Sequence, residues 1–129
     1  MIAWRAYGAV GLGSALGASL RYLVGVALAG PVFPWATLAV NGLGSWLIAC
    51  FAAFAAHRVH GRVARWQTFL VAGFCGGFTT FSLFGLETLQ LLQAGRPWLS
   101  LGYMLASVTL WLAAAWLGQR TGQRAAARA

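Results

Sequence analysis

The sequence predicts an all-α membrane protein with four transmembrane helices. Three observations carry that expectation. Hydrophobic residues make up 60% of the 129 and charged residues 8%, against about a quarter charged in soluble domains. The apolar residues gather into four runs, each near the roughly 20 residues of helix that cross a bilayer core. The charges sit mostly at the ends of those runs, where membrane topology alone explains them. A net charge of +8 could suit nucleic acid, but this placement makes lipid, not nucleic acid, the expected partner.

The first span runs from about Tyr7 to Leu28 and contains Arg21. A central arginine costs roughly 2.5–3.5 kcal/mol in a membrane helix. Arg21 therefore either snorkels to the interface or faces a wet vestibule where it attracts anions. Gly13, Gly17 and Arg21 recur every four residues and share a helix face. The two glycines form a small-xxx-small pair that admits a neighbouring helix. An apolar run after Arg5 also resembles a cleaved leader, but Arg21 and three further runs make a span the expectation.

The second span, about Pro34 to Ala56, is uncharged and carries Asn41 within "PWATLAVNGLGSW". A mid-span amide serves as interhelical glue or as a ligand. Gly42, Gly44 and Ser45 leave room for another backbone.

The third span, about Trp66 to Leu92, holds the unusual stretch "GFCGGFTTFSLFGLET", Gly73 to Thr88. Gly73, Gly76 and Gly77 weaken the helix, which predicts a break between Gly73 and Thr79, near the middle of the span. Carbonyls freed there need cover from protein or a cavity and suit a small cation such as Na⁺. Beyond the break, Thr80, Phe84 and Glu87 or Thr88 share a face, with Phe81 beside it.

The fourth span, about Trp98 to Gly118, is uncharged, and a short basic tail follows from Arg120 to Ala129. Tyr103 and Ser107 lie on one face, which reaches Trp111 one turn on. The loops Ala29–Phe33 and Gln93–Pro97 are short, so consecutive helices are expected as antiparallel neighbours within a single domain. Cys50 and Cys75 lack metal-ligand spacing and read as buried thiols. His57 and His60 belong to a solvated basic loop. No phosphate loop, dinucleotide fingerprint, zinc signature or catalytic triad is visible, so no enzyme is expected.

Four spans place both termini on one side. Arg5, Arg58, Arg62, Arg65, Arg120, Arg124 and Arg128 collect there, against Arg96 opposite, which orients the termini to the cytoplasm. Four short helices enclose no pore alone, so function demands an oligomer. The embedded polar groups are mostly neutral donors plus one arginine, and Glu87 is the only acid. Donors and a cation suit a small anion, and aromatic ring edges, which carry partial positive charge, can face it. The alternative is a small four-span proton-coupled multidrug exporter. It needs a carboxylate in the first span, where this chain has Arg21. A non-transporting scaffold is a further rival.

"GSALGASLRY" at Gly13 to Tyr22, "PWATLAVNGLGS" at Pro34 to Ser45 and "GFCGGFTTFSLF" at Gly73 to Phe84 resemble the CrcB/Fluc fluoride channels. The resemblance spans essentially the whole chain. It implies a dual-topology homodimer in the bacterial inner membrane, with antiparallel subunits and two pores that export cytoplasmic fluoride. It implies a structural Na⁺ on backbone carbonyls of Gly76 and Thr79 from both subunits. It also implies a fluoride path along Asn41, Phe81, Phe84 and Ser107, with Thr80 and Tyr103 assisting. Arg21 and Glu87 fall near the pore ends. Leu83 stands where the family carries a hydroxyl, and Trp111 and Ala115 replace further hydroxyls on the last helix, which predicts a narrower entrance at Trp111. The arginine bias opposes dual insertion. The expected resolution is a homodimer whose tail arginines act after insertion, the alternative a heterodimer with an opposite-topology paralogue.

Overall fold

A chain inside lipid must satisfy its backbone hydrogen bonds within each segment, and the apolar runs accordingly become helices. The computed structural model describes residues 2–57 and 61–128, which are wholly helical apart from turns and short connections. Arg58 and His60 of the basic loop lie outside the described residues, as does the side chain of Arg65. The elements are α1 (Ile2–Ala27), α2 (Trp35–Ala56), α3 (Arg62–Gln67), α4 (Gly76–Phe78), α5 (Phe81–Gln93) and α6 (Pro97–Arg128). A π-helix over Thr68–Cys75 joins α3 to α4. Four stretches are long and apolar enough to cross a membrane: Ala3–Ala27, Trp35–Ala56, Thr68–Gln93 and Pro97–Arg128. Exposed apolar side chains such as Leu12, Leu16, Leu43 and Leu112 cover the outside, as expected of a surface solvated by lipid.

The packing departs from the expectation that consecutive helices are the main neighbours. The closest pairs are α2 with α6 and α1 with the π-helix and α4, although α5 does pack on α6. Glycine rows decide this. On α1, a Cβ at Gly13 would strike the Phe69 carbonyl and the Phe74 amide, and one at Gly17 the Phe74 carbonyl. On the facing segment, a Cβ at Gly77 would land on Ser14. A second row, Gly118 and Gly122, brings α6 onto the Trp46 and Cys50 carbonyls of α2. Small residues four apart let helix backbones meet in a membrane. A short loop imposes no such contact.

Two boundaries also differ. α1 starts at Ile2 rather than Tyr7, and α6 continues through the basic tail to Arg128. The tail stays helical because Gly122 still packs on α2 beyond the apolar span. α5 ends in a Schellman motif: Gly95 adopts φ 72°, the Arg96 amide bonds the Leu91 carbonyl and the Gly95 amide bonds that of Leu92. Pro97 then opens α6. Cys50 is half-buried and Cys75 buried, both as free thiols.

Candidate functional site

The centre of the molecule is the junction between α4 and α5. Thr79 (φ −86°, ψ 156°) and Thr80 (φ −153°, ψ 117°) are extended there. Gly73, Gly76 and Gly77, where the sequence suggests the break, are helical. The missing side chains of Gly73 and Gly77 serve close packing on α1, not unwinding, while Gly76 faces away from it.

What holds the extended pair is a side chain from α2. The Asn41 amide donates to the Thr80 carbonyl at 2.8 Å, and its oxygen accepts the Thr80 N–H at 2.7 Å. Asn41 thus pairs with one residue as a neighbouring backbone strand would, at 5% exposure. Thr80 in turn is the N-cap of α5, its hydroxyl accepting the Leu83 N–H at 3.2 Å. From α1, Arg21 Nε donates to the Gly77 carbonyl at 3.1 Å, a cation at the end of the preceding helical run.

These bonds divert two helical donors. In an unbroken helix the Thr80 N–H would serve the Gly76 carbonyl and the Leu83 N–H that of Thr79. Here the first goes to Asn41 and the second to the Thr80 hydroxyl. Gly76 and Thr79 are the two residues the family resemblance offers for Na⁺. The donor chemistry fits, since both present neutral carbonyl oxygens released from the helix ladder.

Beyond the junction, α5 and α6 build a second cluster. Glu87 accepts from the Thr37 hydroxyl and from the Tyr103 hydroxyl, each at 2.7 Å. Tyr103 is fully buried, and its proton is committed to Glu87 rather than to an open path. Phe84 is 7% exposed and touches Phe81, Tyr103 and Trp111, the last edge-on at 4.9 Å between ring centroids. Phe81 is 75% exposed, so the two phenylalanines meet while facing different surroundings.

Lower on the same face of α6, the bonding stops. Among the described residues, Ser107 Oγ and Trp111 Nε1 are buried without a hydrogen-bond partner. Ser107 is fully buried and lies near the Tyr103 hydroxyl without completing a bond to it. The other buried hydroxyls, on Thr37, Ser100 and Tyr103, are all bonded. The sequence marks Trp111 for its bulk and for its place on this face, but not for its N–H donor. That place, one turn after Ser107, is what puts an N–H donor on the polar face.

Two cavities adjoin these groups. One of about 480 Å³ sits at the Ala29–Pro34 turn, with Arg21, Arg96, Glu87 and Leu83 in its wall. A smaller one of about 190 Å³ is lined by Asn41, Ser45, Thr79, Thr80, Phe81 and Trp111. The structure thus brings Asn41, Thr80 and Phe81 together, and separately Arg21 with Glu87. Ser107 lines neither cavity, and Gly76 is exposed.

Fold and site define a small four-span membrane protein whose polar groups converge on a helix junction. A family model described as "CrcB-like protein, Camphor Resistance (CrcB)" matches residues 8–119. A Bradyrhizobium diazoefficiens protein named fluoride-specific ion channel FluC 1 is 43% identical over 127 residues, 94% of this chain and 89% of that one. Proteins named fluoride-specific ion channel FluC are 48% identical in Paramagnetospirillum magneticum, covering 87% and 91%, and 46% identical in Rhizobium meliloti, covering 84% and 89%. The chain belongs to the CrcB family.

Proposed function

We propose that this chain is the subunit of a fluoride-selective passive channel that exports cytoplasmic fluoride and relieves its toxicity. Relatives at 43–48% identity over most of their length carry that name. The observation that carries the reading within this chain is Ser107, a fully buried donor left unpaired among the described residues one turn beyond Tyr103. Leaving a buried donor unmade costs about 1–3 kcal/mol, and a passing anion offsets that cost.

Fluoride enters cells as neutral HF from acid surroundings and ionises inside. A negative interior then drives the anion outward, by about 2.3 kcal/mol per unit charge per 100 mV. No coupled energy source or catalysis is needed. Arg21 and Arg96 in the wall of the larger cavity draw the anion in. Asn41, Ser107 and the ring edges of Phe81 and Phe84 replace its water, while Thr80 and Tyr103 hold neighbouring groups in place.

The functional unit is an antiparallel homodimer in the bacterial cell membrane, with two pores each lined by both chains. Support comes from Phe81, a path residue too exposed in one copy to bound a pore alone. The carbonyls of Gly76 and Thr79, from both copies, would hold Na⁺, which supplies positive charge near both paths.

Reconstituted protein is expected to release fluoride rapidly, independently of a proton gradient and without releasing chloride, as read by ion-selective electrodes. Phe81→Ile and Phe84→Ile are each expected to abolish most of that release. Proton-coupled or absent transport rejects the channel, and full-rate release by either variant rejects the role of that ring.

A further inference from the structure

Four hydroxyl side chains on the spans, Ser19, Ser45, Thr79 and Thr88, bond the carbonyl four residues back, at 2.7 to 2.8 Å. A hydroxyl in a helix always has that option. An indole N–H does not, because its donor sits at the far edge of a rigid bicycle. Trp111 Nε1 is therefore the more demanding of the two orphans on α6. Buried tryptophan N–H groups usually find a partner. This one is sealed from solvent while its ring packs edge-on against Phe84 and borders the cavity that Asn41 and Thr80 also line.

We infer that the Trp111 indole N–H is an anion-coordinating donor of the fluoride path, one turn beyond Ser107. The inference rests on the channel reading and deepens it. Tryptophan's single polar atom is a donor only, so it accepts an anion and repels no part of it. Fluoride is small and a strong acceptor. A bond from a neutral donor to an ion is roughly twice as strong as one between neutral groups. The ring also narrows the path, so one side chain provides both constriction and ligand. The bulky ring in the polar stripe thus continues it with nitrogen in place of oxygen.

The test uses protein labelled with ¹⁵N at the tryptophan indoles, purified in detergent, with the Trp111 resonance assigned by its loss in Trp111→Phe. Sodium fluoride is added, with sodium chloride as control. The Trp111 N–H resonance is expected to move downfield with fluoride and to stay still with chloride. Fluoride binding by Trp111→Phe, followed by calorimetry, is expected to weaken about tenfold, the value of one charge-assisted bond. The variant should elute and melt like the parent, because no bond within the chain is lost. A resonance unmoved by fluoride, as for an N–H already bonded to the partner chain, overturns the inference, as does unchanged binding by the variant. Efflux from the unaltered protein separates the two readings. A conducting protein with a still Trp111 resonance loses this inference alone. A non-conducting protein whose resonance moves loses the channel and keeps the donor.

Discussion

The polar stripe of α6 has two halves that differ in a simple way. In the upper half, Ser100 donates to the Thr88 carbonyl at 3.0 Å and Tyr103 donates to Glu87 at 2.7 Å. In the lower half, Ser107 and Trp111 are equally sealed from solvent at their polar atoms, yet neither has a partner among the described residues. Helix and face are shared, and the polar atoms are buried in both halves although the Trp111 side chain as a whole is only half-buried. What separates them is whether α5 offers an acceptor. Glu87 and the Thr88 carbonyl accept from the upper half, whereas what Trp111 meets on α5 is the Phe84 ring, which also packs on Tyr103 and offers no such acceptor. The upper half is a structural clasp, and the lower half is a pair of donors with no acceptor among the described residues.

Breaking the upper half should cost most. Glu87→Leu leaves the buried Thr37 and Tyr103 hydroxyls unpaired, at about 1–3 kcal/mol each. A loss of several kcal/mol is expected in reversible denaturation in mixed micelles, and a variant within ~0.5 kcal/mol of the parent would refute the clasp. Asn41→Leu, at the junction, removes both bonds to the Thr80 backbone and should cost about 2 kcal/mol. Asn41→Asp keeps the oxygen that accepts the Thr80 N–H and should recover part of it in the same measurement. Similar melting of all three proteins would show that Thr80 holds its extended form without help.

The smallest effects sharpen the contrast most. Ser100→Ala should lose about 0.6 kcal/mol, the mean for a hydrogen bond between membrane helices. Ser107→Ala should lose nothing or gain slightly, because no bond is broken. Its fluoride efflux should nevertheless fall while that of Ser100→Ala does not. If Ser107→Ala destabilises the protein more than Ser100→Ala, the two halves are not different in kind.

Much of the architecture was legible from residue types alone. Four apolar runs of bilayer length leave a chain little choice but four helices, because lipid offers no other partner for the backbone. Gly13, Gly17 and Arg21 were recognisable as one face, since helical spacing is local, and that face does meet the third span. Asn41, Thr80, Phe84, Glu87, Tyr103 and Ser107 stood out as polar or aromatic groups in unusual places. The family motifs, which lie between Gly13 and Phe84, all fall inside the family match over residues 8–119.

Other features depend on which helices touch. Glycine marks both helix weakness and close approach, and sequence cannot choose between them. The α1 backbone pressed against Gly73 and Gly77 decides for approach. The extended pair falls at Thr79–Thr80 because Asn41, nearly forty residues earlier, reaches across to take the Thr80 N–H. Nothing local in "GGFTTFS" announces that bond. Trp111 shows the same limit from the other side: its bulk is visible in the sequence, whereas its unpaired N–H exists only once Phe84 closes over it. Spans, faces and candidate polar groups follow from chemistry carried by each residue and its near neighbours. Which of those groups is satisfied and which is left free follows only from contacts between distant segments.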